Sequence, residues 1–259
     1  MKIAFFDSGL GGLTVLAEAI KQLPQEEYIY YADTLHVPYG TKSTEEVKQY
    51  VKAAIETLMK EQQVKAIVIA CNTATSIAVA ELRSTYRIPI VGMEPAVKPA
   101  LEITRSTGKR VLVFATPLTL RLSKYTDLVS RIDDQCIVDS LPLPELVEFC
   151  EDLNFDTDTI VEYFKCKLSG FDLSTYGTIV LGCTHYPFYK DILTHMLPDH
   201  IHIVDGSKGT VNRLRKVLKG NLQQNAQGET KTTFLCSSRD SGYVKKMESA
   251  LEIVLNKVT

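Results

Sequence analysis

The chain has no apolar run approaching the roughly 18 residues that a membrane-spanning helix requires. Its opening MKIAFFDSG has neither the long apolar core nor the cleavage site of a signal peptide. A cytoplasmic protein is the resulting expectation. No excess of basic charge is present: 29 Lys and Arg stand against 31 Asp and Glu, a formal net charge of -2. That balance provides no field for gripping nucleic acid and leaves small molecules as the expected partners. The six cysteines include no C-x-x-C pair, which argues against a thiol redox couple, and a chain this long needs no disulfide staples. Cys183 and His185 are two apart, but no second Cys/His cluster completes the four ligands of a structural zinc, so no metal is expected. The glycine-rich DSGLGG is neither G-x-G-x-x-G nor a Walker sequence; its glycines more simply let backbone approach a small anion.

With 259 residues and 45% hydrophobic composition, the chain can bury the core of one large α/β domain or two smaller ones. KIAFFDSG reads as a buried strand entering a turn. GGLTVLAEAIKQL then reads as a helix with Leu13, Leu16, Ile20 and Leu23 at helical spacing. EEYIYYADT repeats the strand, VPYGTKS is a loop, and a long helix follows from about Thr44 to Glu61. KAIVIACNTATSIAVAELRSTY and IPIVGMEPAVKPALEIT are further strand–helix units.

From Lys109 the pattern restarts with RVLVFATPLTLRLS, CIVDSLPLPELVEFC, YGTIVLGCTHYPFYKDIL and IHIVDGSKGTVNRLRKVL. LKGNLQQNAQGETK lacks periodicity and reads as a solvent loop. TTFLCSS follows as a strand, and a last helix carries Val244, Met247, Leu251 and Val254. Alternating β and α units with nearly continuous apolar strands predict an α/β fold of two doubly wound domains with mainly parallel sheets. The expected division is residues 1–96 plus 208–259 for the first domain, completed by the C-terminal segment, and 97–207 for the second.

Ligands of such sheets bind beyond the carboxyl ends of the strands. The residues there are Asp7 and Ser8, Tyr39 and Gly40, Cys71 with Asn72 and Thr73, Thr116 with Thr119, and Cys183 with Thr184 and His185. IVIACNTAT, residues 67–75, and IVLGCTHYP, residues 179–187, each carry an apolar strand into a cysteine followed by polar residues. The two cysteines lie 112 positions apart, which fits one per half of a duplicated architecture. Each opens a helix, where unpaired amides and the helix dipole favour a thiolate. Cys136, Cys150, Cys166 and Cys236 read as small buried apolar residues.

In order and position, DSGLGGLTV, VPYG, CNTAT and GCTHYP resemble the glutamate racemases of the cofactor-independent aspartate/glutamate racemase superfamily, over nearly the whole chain. The resemblance implies two pseudo-symmetric α/β domains with the active site in the cleft between them. It implies proton exchange at Cα of glutamate, without pyridoxal phosphate or metal. Inverting a stereocentre takes a proton from one face and returns one to the other, so two opposed bases are natural, and a thiol can serve in both roles.

By the same resemblance, Cys71 abstracts from D-glutamate and Cys183 from L-glutamate. Asp7 lies near Cys71, and His185 with the residue matching Glu148 lies near Cys183. Ser8, Tyr39, Gly40, Asn72, Thr73, Thr116, Thr119 and Thr184 match substrate-binding positions, together with Asp7 and His185. The family further implies a homodimer that supplies D-glutamate for peptidoglycan. His36 stands where many members have Arg, the fourth strand runs into GMEPAVKPA, and LPLPELVEFC lacks the usual Cys-Pro start. Aspartate remains open as the substrate, since one methylene discriminates by only about 1–3 kcal/mol. A non-enzymatic binding or regulatory role is the alternative of another class.

Overall fold

In the computed structural model, which describes residues 1–222 and 230–257, two sheets carry the chain. The first is built from β1 (Lys2–Asp7), β2 (Tyr28–Ala32), β3 (Val64–Ile69), β4 (Ile90–Gly92) and β9 (Thr232–Cys236). Its order is β4-β3-β1-β2-β9. The second contains β5 (Arg110–Ala115), β6 (Val138–Pro142), β7 (Tyr176–Leu181) and β8 (His202–Asp205), in the order β6-β5-β7-β8. Every pairing is parallel. The helices are α1 (Leu13–Gln22), α2 (Thr44–Glu61), α3 (Asn72–Thr85), α4 (Val97–Thr104), α5 (Pro117–Arg121), α6 (Ser123–Ile132), α7 (Glu145–Glu151), α8 (Thr157–Leu168), α9 (Lys190–Met196), α10 (Ser207–Val217) and α11 (Ser241–Lys257).

The two sheets are copies of one plan. β4-β3-β1-β2 and β8-β7-β5-β6 have the same order. The register of β1 on β3 shifts between Lys2 and Ile3, and that of β5 on β7 shifts between Arg110 and Val111, at the same step. Just past the paired strands, the Ala70 amide donates to the Phe6 carbonyl at 2.7 Å and the Gly182 amide donates to the Phe114 carbonyl at 2.7 Å. The next residue is a cysteine in both copies.

Helices on both faces explain why the strands are apolar throughout rather than alternating. Phe5 and Phe6 point to opposite faces of β1 and both are fully buried. Phe5 joins a core that runs without interruption into the second half through Phe114, Phe164 and Tyr186, whereas Phe6 packs under α2 and α3. α2 begins as read from the sequence, because Ser43 and Glu46 form a reciprocal capping box.

The C-terminal segment returns to the first half. β9 pairs along β2, and α11 packs on α1 and β9. Within the segment read as a solvent loop, residues 223–229 lie outside the described residues. Among the described residues no helix is long and apolar enough to cross a membrane. All six cysteines are free. Cys150 and Cys236 are buried as expected, but Cys136 and Cys166 are exposed: neither the turn ahead of β6 nor the outer face of α8 is covered.

Candidate active site

The carboxyl ends of β1 and β3 in the first half meet those of β5 and β7 in the second at one cavity. Its lining includes Ser8, Tyr39, Gly40, Cys71, Asn72 and Thr73 from the first half and Thr116, Cys183, Thr184 and His185 from the second. Val147 and Gly182 complete the wall. The space open to a water's centre is about 10 Å³, scarcely enough for one water. An amino acid does not fit in that space as it stands.

Asp7, the last residue of β1, is fully buried. Its Oδ1 accepts the Gly9 amide at 2.7 Å and its Oδ2 the Thr184 hydroxyl at 3.1 Å. Burial pushes its carboxyl up to about 6 despite the nearby His185 charge. Cys71 occupies the N-cap of α3, and its Sγ accepts the Ala74 amide at 3.4 Å with Ser8 Oγ 4.0 Å away. Burial, reinforced by the Asp7 charge, holds this thiol well above its ordinary range.

Cys183 has a different environment. His185 Nδ1 is 3.6 Å from Cys183 Sγ, and His185 Nε2 is 2.8 Å from Glu151 Oε1. Burial works against the imidazolium, yet the sulfur and the Glu151 carboxylate hold the His185 pKa well above its usual value. For Glu151 burial again opposes the charge, and hydrogen bonds from His185, Tyr243 and the Leu10 amide keep the carboxyl below the usual range. The Leu10 amide donates to Oε1 at 2.7 Å, and the Tyr243 hydroxyl donates to Oε2.

Glu148, expected at this position, is exposed and does not reach His185. The buried face of α7 is set by Leu146, Val147 and Cys150. Glu151 is four residues beyond Val147 and so shares its side, while Glu148 is turned about 100° away. That periodicity was available in the sequence. The Tyr243 contact was not, since it joins residues 92 positions apart.

Three of the four threonines expected to bind substrate lie together, while Thr184 is held by Asp7. Thr73 Oγ1 is 2.9 Å from Thr119 Oγ1 and 3.1 Å from Thr116 Oγ1, and the last two are 3.0 Å apart, a triangle of hydroxyls across the two halves. Gly40 comes so close to Thr116 that a Cβ there would sit 2.6 Å from the Thr116 Cβ. Tyr39 donates its hydroxyl to Asp33, and His36 stacks on Tyr50 with its Nδ1 2.9 Å from Asp33. His36 thus braces the loop that presents Tyr39 and Gly40. Asn72 is 2% exposed, and neither atom of its side-chain amide has a hydrogen-bond partner. Such a group is costly unless a ligand completes it.

Neutral donors, two thiols at equivalent positions and flanking acid–base groups can bind a small carboxylate and move a proton on either side of it. The glutamate racemase of Halothermothrix orenii is 53% identical over 95% of this chain and 97% of its own. Glutamate racemase 2 of Bacillus subtilis is 51% identical over 98% of this chain and 96% of its own. Among solved structures, the Escherichia coli glutamate racemase in complex with L-glutamate and the activator UDP-MurNAc-Ala superposes with a TM-score of 0.85. It is 28% identical, covering 98% of this chain and 95% of that one. The Asp/Glu/hydantoin racemase family matches residues 8–214, and with these relatives it establishes that the chain belongs to that family.

Proposed function

We propose that the chain interconverts L- and D-glutamate by cofactor-independent exchange of the α-proton between Cys183 and Cys71. The observation that carries this reading is the pair of thiols at equivalent ends of duplicated strands, lining one cavity. The relatives named glutamate racemase support glutamate as the substrate.

Burial raises the Cys71 thiol and so favours its protonated form, while the His185 imidazole, its pKa held well above the usual value, lies 3.6 Å from the Cys183 sulfur. That pairing suits L-glutamate. Cys183, as thiolate, takes the α-proton on one face and Cys71 gives its own proton to the other, leaving D-glutamate with Cys183 protonated and Cys71 ionised. Running the same transfers backwards converts D to L. Asn72 supplies amide contacts to substrate, and Ser8, Gly40, Thr184 and the Thr73, Thr116 and Thr119 hydroxyls bind its carboxylates once the halves part. Asp7, with its pKa near 6, and His185 with Glu151 adjust charge on the two sides. The same reading makes the protein a cytoplasmic homodimer that supplies D-glutamate for peptidoglycan.

The test is incubation of the purified protein with L-glutamate, and separately L-aspartate, in deuterated water without added cofactor, following chirality and α-deuterium together. Inversion of glutamate with deuterium incorporation is expected. Absence of exchange with glutamate refutes the assignment, and inversion of aspartate alone keeps the mechanism while changing the substrate.

A further inference from the structure

Glu151 and His185 belong to the second half, but two of the three donors to Glu151 come from the first. The Leu10 amide is in the loop after β1, and the Tyr243 hydroxyl is on α11, which packs on α1 and β9. The contacts divide the carboxylate between them: Oε1 takes His185 and Leu10, and Oε2 takes Tyr243. Gly9 makes the approach possible, because a Cβ there would collide with the Glu151 carboxylate. Burial together with the Glu151 charge holds the Tyr243 phenol well above its ordinary range, which favours the protonated, donating form. Lys246 Nζ lies 5.7 Å from the centre of the Tyr243 ring.

We propose that Tyr243 is a positioning residue, whose hydroxyl fixes the Glu151 carboxylate on His185 only when the halves are closed. The His185–Glu151 pair stays together in the second half as the protein opens, but the Leu10 and Tyr243 donors withdraw with the first. Without them Oε2 is free to rotate, and Glu151 no longer presents Oε1 to Nε2 in one orientation. Closing over substrate therefore does more than exclude water: it completes the hydrogen-bond set of the acid that orients His185 toward the Cys183 sulfur. The C-terminal helix thereby joins the machinery of the second half while belonging to the fold of the first.

This rests on the racemase reading, and the experiment separates the two. Racemisation of L-glutamate by the unaltered protein tests that reading; if there is none, it fails before Tyr243 is considered. Given activity, Tyr243→Phe is expected to lower kcat about 10-fold in both directions while KM changes less than about twofold, as loss of one hydrogen bond to a buried charge implies. The loss should vanish in a Glu151→Gln background, because Tyr243 acts through that carboxylate. Chain carrying 3-fluorotyrosine at 243, which keeps ring and hydroxyl, should retain the kcat of the unaltered protein. Unchanged kcat in Tyr243→Phe, an equal loss in the Glu151→Gln background, or a fluorotyrosine protein as slow as Tyr243→Phe would each overturn the assignment. So would a Tyr243→Phe chain that does not fold, since a residue whose task is to orient Glu151 leaves the core intact.

Discussion

Asp7→Asn is expected to make the protein more stable at neutral pH. The carboxyl is fully buried, and its pKa rises from the ordinary 3.8 to about 6, chiefly because burial disfavours the charge. At about 1.4 kcal/mol per pH unit, the rise corresponds to about 3 kcal/mol. Below pH 3.8 the group is protonated in both folded and unfolded chains and has no effect. Between 3.8 and 6 the unfolded chain ionises while the folded one holds its proton, so stability falls as pH rises. Above pH 6 both are ionised and the full destabilisation of about 3 kcal/mol persists. Asparagine removes the charge, its Oδ1 still accepts the Gly9 amide, and the Thr184 hydroxyl can turn to accept from its Nδ2. Urea unfolding of both proteins at pH 7.5 and pH 4 measures the difference, and comparing the two proteins at each pH cancels the other titrations. Asparagine should gain about 3 kcal/mol at the higher pH and only about 0.6 kcal/mol at the lower. A variant no more stable at pH 7.5 than at pH 4, relative to the unaltered protein, would show that Asp7 ionises in the fold without cost and refute the argument.

Replacing either Cys71 or Cys183 with Ala should lower racemisation about a thousandfold, because one face of Cα loses the group that takes or gives its proton; polarimetry on L- and D-glutamate reads it. Glu151→Gln should reduce kcat about 10- to 100-fold, whereas Glu148→Gln should leave it unchanged, since only Glu151 touches His185. Equal effects would remove the basis for choosing Glu151. Gly11→Ala should cost about 1–3 kcal/mol of stability and at least about 10-fold in kcat, because its Cβ would run into the His185 ring. Chemical unfolding and steady-state rates check both.

The strand-end residues show how much of the site could be read in advance. Asp7, Cys71, Thr116 and Cys183 each follow an uninterrupted apolar run, and a parallel sheet covered on both faces can only place such residues at its carboxyl edge. Glu151 was within reach of the same reasoning, because its four-residue step from Val147 marks the buried side of α7. Exposed Cys136 and Cys166 show the limit of a composition rule: a small apolar side chain does not determine whether another element covers it.

The amino-acid sequence by itself determined the local order of strands and helices, the duplication, and which residues stand at the strand ends, because hydrophobic period and capping act over a few residues. Only the tertiary structure decided how the two halves face each other. It brought Thr73 against Thr116 and Thr119, carried Leu10 and Tyr243 to Glu151, and left the Asn72 amide buried without a partner. These contacts join segments separated by up to 141 positions. Their geometry follows from packing two sheets on a shared core, which no local pattern encodes.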